Sequence, residues 1–312
     1  MPLLVVGSIA LDSVETPFGR REGVLGGSAT YFSTAASFFV PVRLVAAVGE
    51  DFPAEHVEFL RGRGVDLAGL ERRPGRTFRW RGRYEFDLNQ AHTLDTQLNV
   101  FADFDPTLPP AYRDSSYVFL GNIDPDLQRK VLDQVRAPRF VAADTMNFWI
   151  TSKRESLLQT LRRVDMLFVN DAEVRQLAGE HNVVQAARRV LSFGPRAVVV
   201  KRGEYGALFF SGEHVFAASA YPLESLYDPT GAGDSFAGGF MGYVARSRRE
   251  DPDVLRRAIV LGGVLASFAV EQFSLERLRA LTQEEIRARY GEFRQLAHFD
   301  DLEVDLFEEG GR

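Results

Sequence analysis

The chain has 312 residues, of which 37 are Lys or Arg and 43 are Asp or Glu, so its formal net charge is −6. This acidic balance argues against a nucleic-acid-binding surface, because such surfaces are usually basic. Cysteine is absent, which excludes disulfides, zinc–thiolate sites and a thiol nucleophile. The composition is that of an ordinary globular protein, and a small molecule is the simplest partner.

The first residues lack the basic start of a signal peptide. The stretch 23–42 is uncharged, but Ser and Thr interrupt it and its apolar residues recur at helical spacing, which predicts a core helix. We therefore expect no membrane segment and a cytoplasmic location.

Short apolar runs alternate with helical patterns along most of the chain, which predicts a mostly parallel sheet covered by helices on both faces. The predicted strands are 3–6, 43–48, 117–120, 140–143, 166–169 and 197–200. The predicted helices are 28–39, 54–63, 126–135, 154–162, 171–177, 184–192, 235–246 and 253–271. In such sheets, ligands bind beyond the carboxyl ends of the strands.

Residues 71–86 break this rhythm. Phe78, Trp80, Tyr84 and Phe86 alternate with charged residues, which is typical of a strand with one aromatic and one charged face. We predict a β-ribbon outside the main sheet. Stacking on nucleic acid bases is an alternative use of this pattern, but the acidic chain disfavours it.

Several polar or glycine-rich motifs follow predicted strands. Asn170 and Glu173 lie three residues apart at a helix start, which suits either a magnesium site or a helix capping box. Asp12 follows the first predicted strand, where a turn-capping role is one interpretation of the residue. Lys201, Gly203 and Gly206 follow the strand 197–200, where the glycines allow either close backbone approach to a ligand or a strand-end hairpin. Asp144 and Asn147, which follow the predicted strand 140–143, are further candidates for contact with the substrate or a phosphate.

The segment 228–240, DPTGAGDSFAGGF, is the most informative part of the chain. The backbone N–H groups of Gly231, Ala232 and Gly233 are expected to surround an anion at the positive end of the following helix. Asp234 would lie beside that anion and accept the proton of an attacking hydroxyl. We expect the helix dipole to lower the pKa of Asp234. The segment predicts phosphoryl transfer, and a helix-capping turn is the alternative.

This segment resembles the signature of the PfkB or ribokinase-like family of carbohydrate and nucleoside kinases. The resemblance extends from Asp12 to the 228–240 motif and implies an α/β, ribokinase-like fold over a single domain, 1–312. It also implies a small β-sheet lid, formed by about 11–25 and 71–101, that closes over the substrate and often mediates dimerisation. The implied reaction transfers the γ-phosphoryl group of ATP, with Mg²⁺, to a hydroxyl of a small polyhydroxylated molecule.

The resemblance also implies roles for individual residues. Asp234 is the expected catalytic base, and the anion hole is 231–233. The residues expected to bind the acceptor are Asp12, Gly26, Gly27 and Ser28. Those expected at ATP and its Mg²⁺, which is held through water, are Asn170, Glu173, Lys201, Gly203 and Gly206. Asp228 is expected at a monovalent cation such as K⁺.

We take a sugar as the first expectation for the acceptor. A nucleoside and an inositol are alternatives within the same family, and a non-catalytic nucleotide or metabolite sensor is an alternative outside catalysis. At Ser28 and Thr30 the chain departs from the continuation common in ribokinases, which argues against ribose itself.

Overall fold

A computed structural model describes residues 2–212, 214–298 and 300. The strands formed by these residues are β1 Leu3–Val6, β2 Ala10–Thr16, β3 Gly19–Gly26, β4 Val42–Gly49, β5 Val65–Arg73, β6 Phe78–Tyr84, β7 Ala91–Gln97, β8 Tyr117–Leu120, β9 Phe140–Asp144, β10 Met166–Asn170, β11 Ala197–Lys201, β12 Ala207–Ser211 and β13 His214–Ala218. The rest of the predicted domain, residues 1, 213, 299 and 301–312, lies outside this description.

Within the described residues, nine strands form a large sheet in the order β13, β12, β11, β10, β9, β8, β1, β4, β5. Neighbours from β11 to β5 run parallel, and β12 and β13 add an antiparallel edge. The six predicted strands are confirmed. Central strands such as β1 are buried along their whole length, which is why they are readable as uninterrupted apolar runs. The strands β5 and β13 are partly exposed, and β5, β12 and β13 were not among the predicted strands.

The helices in the described ranges are α1 Ser28–Ala36, α2 Ala54–Gly62, α3 Pro125–Leu132, α4 Asn147–Ser152, α5 Arg154–Leu161, α6 Asp171–Ala178, α7 Val183–Leu191, α8 Ala232–Ser247, α9 Pro252–Ala269, α10 Glu276–Ala280 and α11 Gln283–Leu296. Across these ranges, every helix is too short or too polar to span a bilayer. All eight predicted helices are present, but α8 begins three residues earlier than expected, which places Asp234 inside its first turn.

Two hydrophobic cores lie on opposite faces of the large sheet. Alternate residues of each strand supply them, so Leu3 and Val5 pack with α1, α8 and α9, whereas Leu4 and Val6 pack against the other face. Because the strands are buried on both faces, their ends are held in place, and so are the polar residues at those ends.

The small sheet has the strand order β3, β2, β6, β7. It joins an antiparallel pair, β2 and β3, to the predicted aromatic ribbon through a parallel pairing of β2 with β6. The expected start of the ribbon at 71 is wrong, because residues 71–73 end strand β5 and pair with β4 in the large sheet. The ribbon itself consists of β6 and β7, joined by loop 85–90.

Candidate active site

Three neighbouring parallel strands end at the same edge of the large sheet. Asp144, Asn170 and Lys201 are the last residues of β9, β10 and β11, and the pairing register places Asn170 beside Lys201. Because parallel strands present their carboxyl ends together, residues far apart in sequence meet at one site.

An ion pair lies at the centre of this edge. Lys201 Nζ donates to Asp144 Oδ2 at 2.8 Å, and Asp144 Oδ1 accepts a hydrogen bond from the Thr145 N–H at 2.7 Å. Burial disfavours the charged form of Lys201, but Asp144, Glu173 and then Asp234 outweigh it, so the pKa of Lys201 is raised. The ammonium therefore stays charged at neutral pH, and it is held at the strand ends.

The glycine-rich loop also lies close to this ammonium. Gly231 caps α8 with a φ of 75°, and a Cβ at this position would overlap the ring of Tyr31. A Cβ on Gly233 would lie 2.9 Å from Lys201 Nζ, so the first turn of α8 rests against the Lys201 ammonium. An anion bound at this turn would contact both backbone amides and a fixed positive charge.

The predicted anion hole is only partly available. The Ala232 N–H donates to the Pro229 carbonyl at 3.2 Å. Among the described residues, the N–H groups of Gly231 and Gly233 have no hydrogen-bond acceptor. These two amides, rather than all three, are therefore free to bind an anion.

Asp234 is the third residue of α8 and is partly buried. Burial and then the negative charge of Asp144 raise its pKa to about 7, although Lys201 opposes the shift. The expected lowering by the helix dipole is therefore wrong, because loss of hydration outweighs the dipole at this position. A carboxylate with a pKa near neutrality is a better proton acceptor than an ordinary Asp.

Asn170 and Glu173 form the capping box that was the alternative to a magnesium site. Asn170 Oδ1 accepts from the Glu173 N–H at 2.7 Å, and Glu173 Oε2 accepts from the Asn170 N–H at 2.8 Å. Burial and then the charge of Asp144 raise the pKa of Glu173 to about 7. The capping box does not exclude a metal role, since a carboxylate accepts more than one hydrogen bond or ligand.

The donor set at this edge suits Mg²⁺. The described residues contain no group of three or more His, Asp or Glu side chains arranged to hold a metal ion. Mg²⁺ keeps most of its waters and needs few protein ligands, so one carboxylate such as Glu173 is sufficient. Asp144, Glu173 and Asp234 share the single ammonium of Lys201, and this excess of negative charge favours a divalent cation.

Asp12 lies on β2 at the base of the small sheet, and its side chain is 5% exposed. Its Oδ1 atom is buried and has no hydrogen-bond partner among the described residues. Burial and then the charge of Asp228 raise its pKa to about 8. Gly26 makes room for this carboxylate, since a Cβ there would overlap it, and Gly27 turns the chain into α1 with a φ of 92°.

Trp80 is the direct partner of Asp12 in the pairing of β2 with β6. Residues paired in this way extend to the same face of the sheet. The indole folds over Gly82, where a Cβ would overlap it, and its Nε1 donates to Thr93 Oγ1 at 3.1 Å. Asp12 and Trp80 therefore extend from neighbouring strands to the same face, with the indole directed along β6 toward Gly82.

Ser28 is less accessible than expected for a residue that binds the acceptor. Its hydroxyl accepts from the Ser8 N–H at 3.2 Å, and the Ser8 hydroxyl accepts from the Ser28 N–H at 3.2 Å. This reciprocal pair joins the end of β1 to the start of α1, so Ser28 supports the position of Gly27.

Asp228 is 1% exposed and ties the glycine-rich loop to the segment after α9. Its Oδ1 accepts from the Thr230 N–H and its Oδ2 from the Ser274 N–H, both at 2.9 Å. Burial raises its pKa. Asp228 is thus a buried anchor of the loop that carries Gly231.

Gly203 and Gly206 form the turn between β11 and β12. Their φ values are 54° and 82°, conformations that favour glycine, and the Arg202 N–H donates to the Gly206 carbonyl at 2.8 Å. The turn follows Lys201 directly, so it lies at the same sheet edge as the ion pair. The hairpin that was the alternative for this segment is therefore present.

The sequence reasoning missed two buried tyrosines. Tyr31 lies under Gly231, and Tyr84 accepts a hydrogen bond from Thr230 Oγ1 at 3.2 Å. Burial and nearby carboxylates raise the pKa of both. Neither belongs to a polar motif, so only the fold could reveal their position. Asn147, by contrast, is exposed at the start of α4.

The family model for pfkB family carbohydrate kinases matches residues 12–278, which includes Asp12, the capping box, Lys201 and the whole glycine-rich loop. The chain belongs to this family. It is therefore a kinase that uses ATP to phosphorylate a hydroxyl of a small molecule, and the sensor hypothesis is not needed. ATP and Mg²⁺ fit this family.

Two curated relatives of this pfkB-family kinase are nucleoside-directed by name. A cytidine kinase of Thermococcus kodakarensis is 31% identical over 253 residues, which cover 80% of this chain and 90% of the relative. A nucleoside kinase of Methanothermobacter thermautotrophicus is 27% identical over 259 residues, which cover 77% of this chain and 81% of the relative.

Solved structures confirm the ribokinase-like fold. The nucleoside kinase of Burkholderia thailandensis in complex with inosine superposes with a TM-score of 0.74 at 19% identity, covering 93% of this chain and 98% of that one. A putative ribokinase II from E. coli in complex with ATP and Mg²⁺ gives a TM-score of 0.75 at 19% identity, covering 94% and 99%.

Proposed function

We propose that this pfkB-family kinase phosphorylates a nucleoside. The observation that carries the proposal is the buried, unpartnered Oδ1 of Asp12, on the face of the small sheet that also carries the Trp80 side chain. A sugar hydroxyl would complete the hydrogen bonding of the carboxylate, and a base would stack on the indole. The names of the similar cytidine and nucleoside kinases agree with this choice. It replaces the simple sugar that we expected first.

Asp12 would accept hydrogen bonds from the hydroxyls of the acceptor, with Gly26 and Gly27 allowing close approach. Asp234 would accept the proton of the attacking hydroxyl while the hydroxyl oxygen forms a bond to the γ-phosphorus of ATP. The bond from that phosphorus to the bridging oxygen breaks, and ADP leaves with the electron pair. Asp234 then returns the proton to water.

The amides of Gly231 and Gly233 and the ammonium of Lys201 would stabilise the charge on the transferred group. The turn at Gly203 and Gly206 would lie against the nucleotide. Mg²⁺, held near Glu173 and Asn170 through water, would neutralise phosphate charge when bound.

An acceptor panel tests this function. The purified chain, with ATP and Mg²⁺, is offered cytidine, inosine, adenosine, ribose, fructose and inositol, and ADP release and product mass are measured. We expect the best nucleoside to exceed ribose in kcat/KM by at least ~10-fold, since the base adds contacts that ribose lacks. A sugar or inositol that matches or exceeds every nucleoside would overturn the proposal.

The monovalent cation is a separate proposal. Asp228 is a buried carboxylate whose charge is met in the described structure by uncharged hydrogen-bond donors of Thr230 and Ser274, and K⁺ beside its loop would stabilise that charge. Activity measured in potassium-free buffer and then titrated with KCl, with NaCl as the control, should rise with K⁺. Equal activity in both salts would count against this site.

We also propose a homodimer through the small sheet and a cytoplasmic location. Every residue of β7 is exposed along the sheet edge, including Leu94, and an exposed edge can pair with a second copy. Analytical ultracentrifugation should show a dimer that Leu94→Lys weakens, whereas a monomer for the unaltered chain would contradict the proposed homodimer.

Cell fractionation tests the proposed cytoplasmic location. Recovery of the protein with membranes would contradict it.

A further inference from the structure

The loop between β6 and β7, residues 85–90, reaches from the small sheet to the nucleotide turn. A Cβ added at Gly203 would overlap the side-chain amide of Asn89. Asn89 is itself held by Asp87, whose Oδ1 accepts from the Asn89 N–H at 2.9 Å and from Nδ2 at 3.1 Å. The pKa of Tyr205 is raised by its hydrogen bond to Glu204 and further by the charge of Asp87, so the loop lies close to this turn.

The other end of the same ribbon contacts the glycine-rich loop. Tyr84 is the last residue of β6, is 8% exposed, and accepts a hydrogen bond from Thr230 Oγ1 at 3.2 Å. Thr230 immediately precedes Gly231. Loop 85–90 therefore starts directly after a residue that contacts the glycine-rich loop, and its Asn89 lies against the turn at Gly203.

We propose that Asn89 is a positioning residue that docks the small sheet against the nucleotide turn at Gly203. Through this contact, a nucleotide at the turn would favour the arrangement in which the small sheet covers the acceptor. The inference rests on the proposed function, because it requires acceptor and ATP in one cleft. Its consequence is the exclusion of water, which would otherwise consume ATP by hydrolysis.

Asn89→Ala removes the contact without altering any group that touches the reacting atoms. We expect the KM of the acceptor to rise about fivefold, because the packing of the Asn89 side chain against Gly203 is lost. The KM of ATP should stay within about twofold, and ATP hydrolysis without acceptor should increase. A residue that merely stabilised the fold would not separate these three quantities.

Gly203→Ala tests the same contact from its other side. The added methyl group would force the Asn89 side chain away, so the KM of the acceptor should rise as in Asn89→Ala, and the double variant should be no worse than Gly203→Ala. Gly212→Ala is the matched control, because Gly212 has a φ of 56° and open space where its Cβ would lie. Gly212→Ala therefore reports the effect of backbone strain alone. Additive effects of Gly203→Ala and Asn89→Ala in the double variant would refute the contact.

Hydrogen exchange gives a readout that does not depend on the acceptor. ATP and Mg²⁺ should protect the amides of 85–90 in the unaltered chain and should protect them less in Asn89→Ala. Unchanged exchange there, or an unchanged KM of the acceptor in Asn89→Ala, would overturn the role of Asn89. Absence of any phosphorylated nucleoside would instead overturn the proposed function, so the two failures are distinguishable.

Discussion

Asp144 and Asp12 are both 5% exposed, yet their surroundings differ. Asp144 lies at the edge of the large sheet, where Lys201 and the Thr145 amide engage both of its oxygens. Asp12 lies in the small sheet, where one oxygen has no partner and the charge that affects it most, on Asp228, is also negative.

This difference separates two ways of building a site. The proposed nucleotide side, at Asp144, is electrostatically organised before any ligand binds, as catalysis of phosphoryl transfer requires. The proposed acceptor side, at Asp12, leaves a carboxylate oxygen without a hydrogen bond, which a hydroxyl of the ligand would supply. The cost is a destabilised carboxylate in the folded protein.

The strongest test of the nucleotide side is Asp234→Asn. The amide cannot accept the proton, so we expect kcat to fall by about 10²–10⁴-fold while ATP binding is retained. Turnover by ADP release and ATP affinity by calorimetry check this result. Near-normal turnover would falsify the role of Asp234 as the base.

Lys201→Met breaks the organised ion pair and leaves Asp144 buried without its counter-charge. We expect a loss of about 3 kcal/mol in the free energy of unfolding, measured by urea titration. Adding Asp144→Asn should restore part of the stability but not the activity, because the ammonium is still missing. If the double variant is no more stable than Lys201→Met, the pair is not the cause.

Asp12→Asn should act in opposite directions on stability and binding. We expect kcat/KM for the acceptor to fall about 10–100-fold, since the amide accepts fewer hydrogen bonds. The folded-state pKa of about 8 lies above the ordinary value, so Asp12 costs stability increasingly as pH rises from about 4 to 8.

The variant should therefore be more stable than the unaltered chain by several kcal/mol at pH 9 and by little at pH 4. Thermal unfolding at the two pH values measures this difference. A variant that is less stable at pH 9 would contradict the unsatisfied state of Asp12.

The smallest effect is on the pH profile. With Asp234 at a pKa of about 7, the ionised base is lost as pH falls through 7, so kcat/KM at pH 6 should be about tenfold below kcat/KM at pH 8. Residual activity of Asp234→Asn should lack this dependence. A profile that is flat from pH 6 to 8 would show that another group or step limits the rate.

The buried strands were predictable because strands buried on both faces must be continuous apolar runs. Residues 3–6, 117–120 and 166–169 therefore stood out without any knowledge of their partners. The glycine-rich loop was also predictable, because three small residues followed by an acid at a helix start are typical of an anion-binding loop. The edge strand β5 was not, because its polar, half-exposed residues follow no single period.

From the sequence alone, the parallel strands, most helices and the glycine-rich loop followed, because local composition dictates strands, turns and helix starts. The resemblance of 228–240 to the PfkB family implied the kinase reaction and the proposed role of Asp234 as the base. Only the tertiary structure showed that Asp144 pairs with Lys201, that Tyr84 meets Thr230 and that Asn89 reaches Gly203. The raised pKa of Asp234 likewise depends on burial and on Asp144, which no local pattern encodes. Contacts and desolvation are properties of packed surfaces, and packing joins residues that the chain keeps apart.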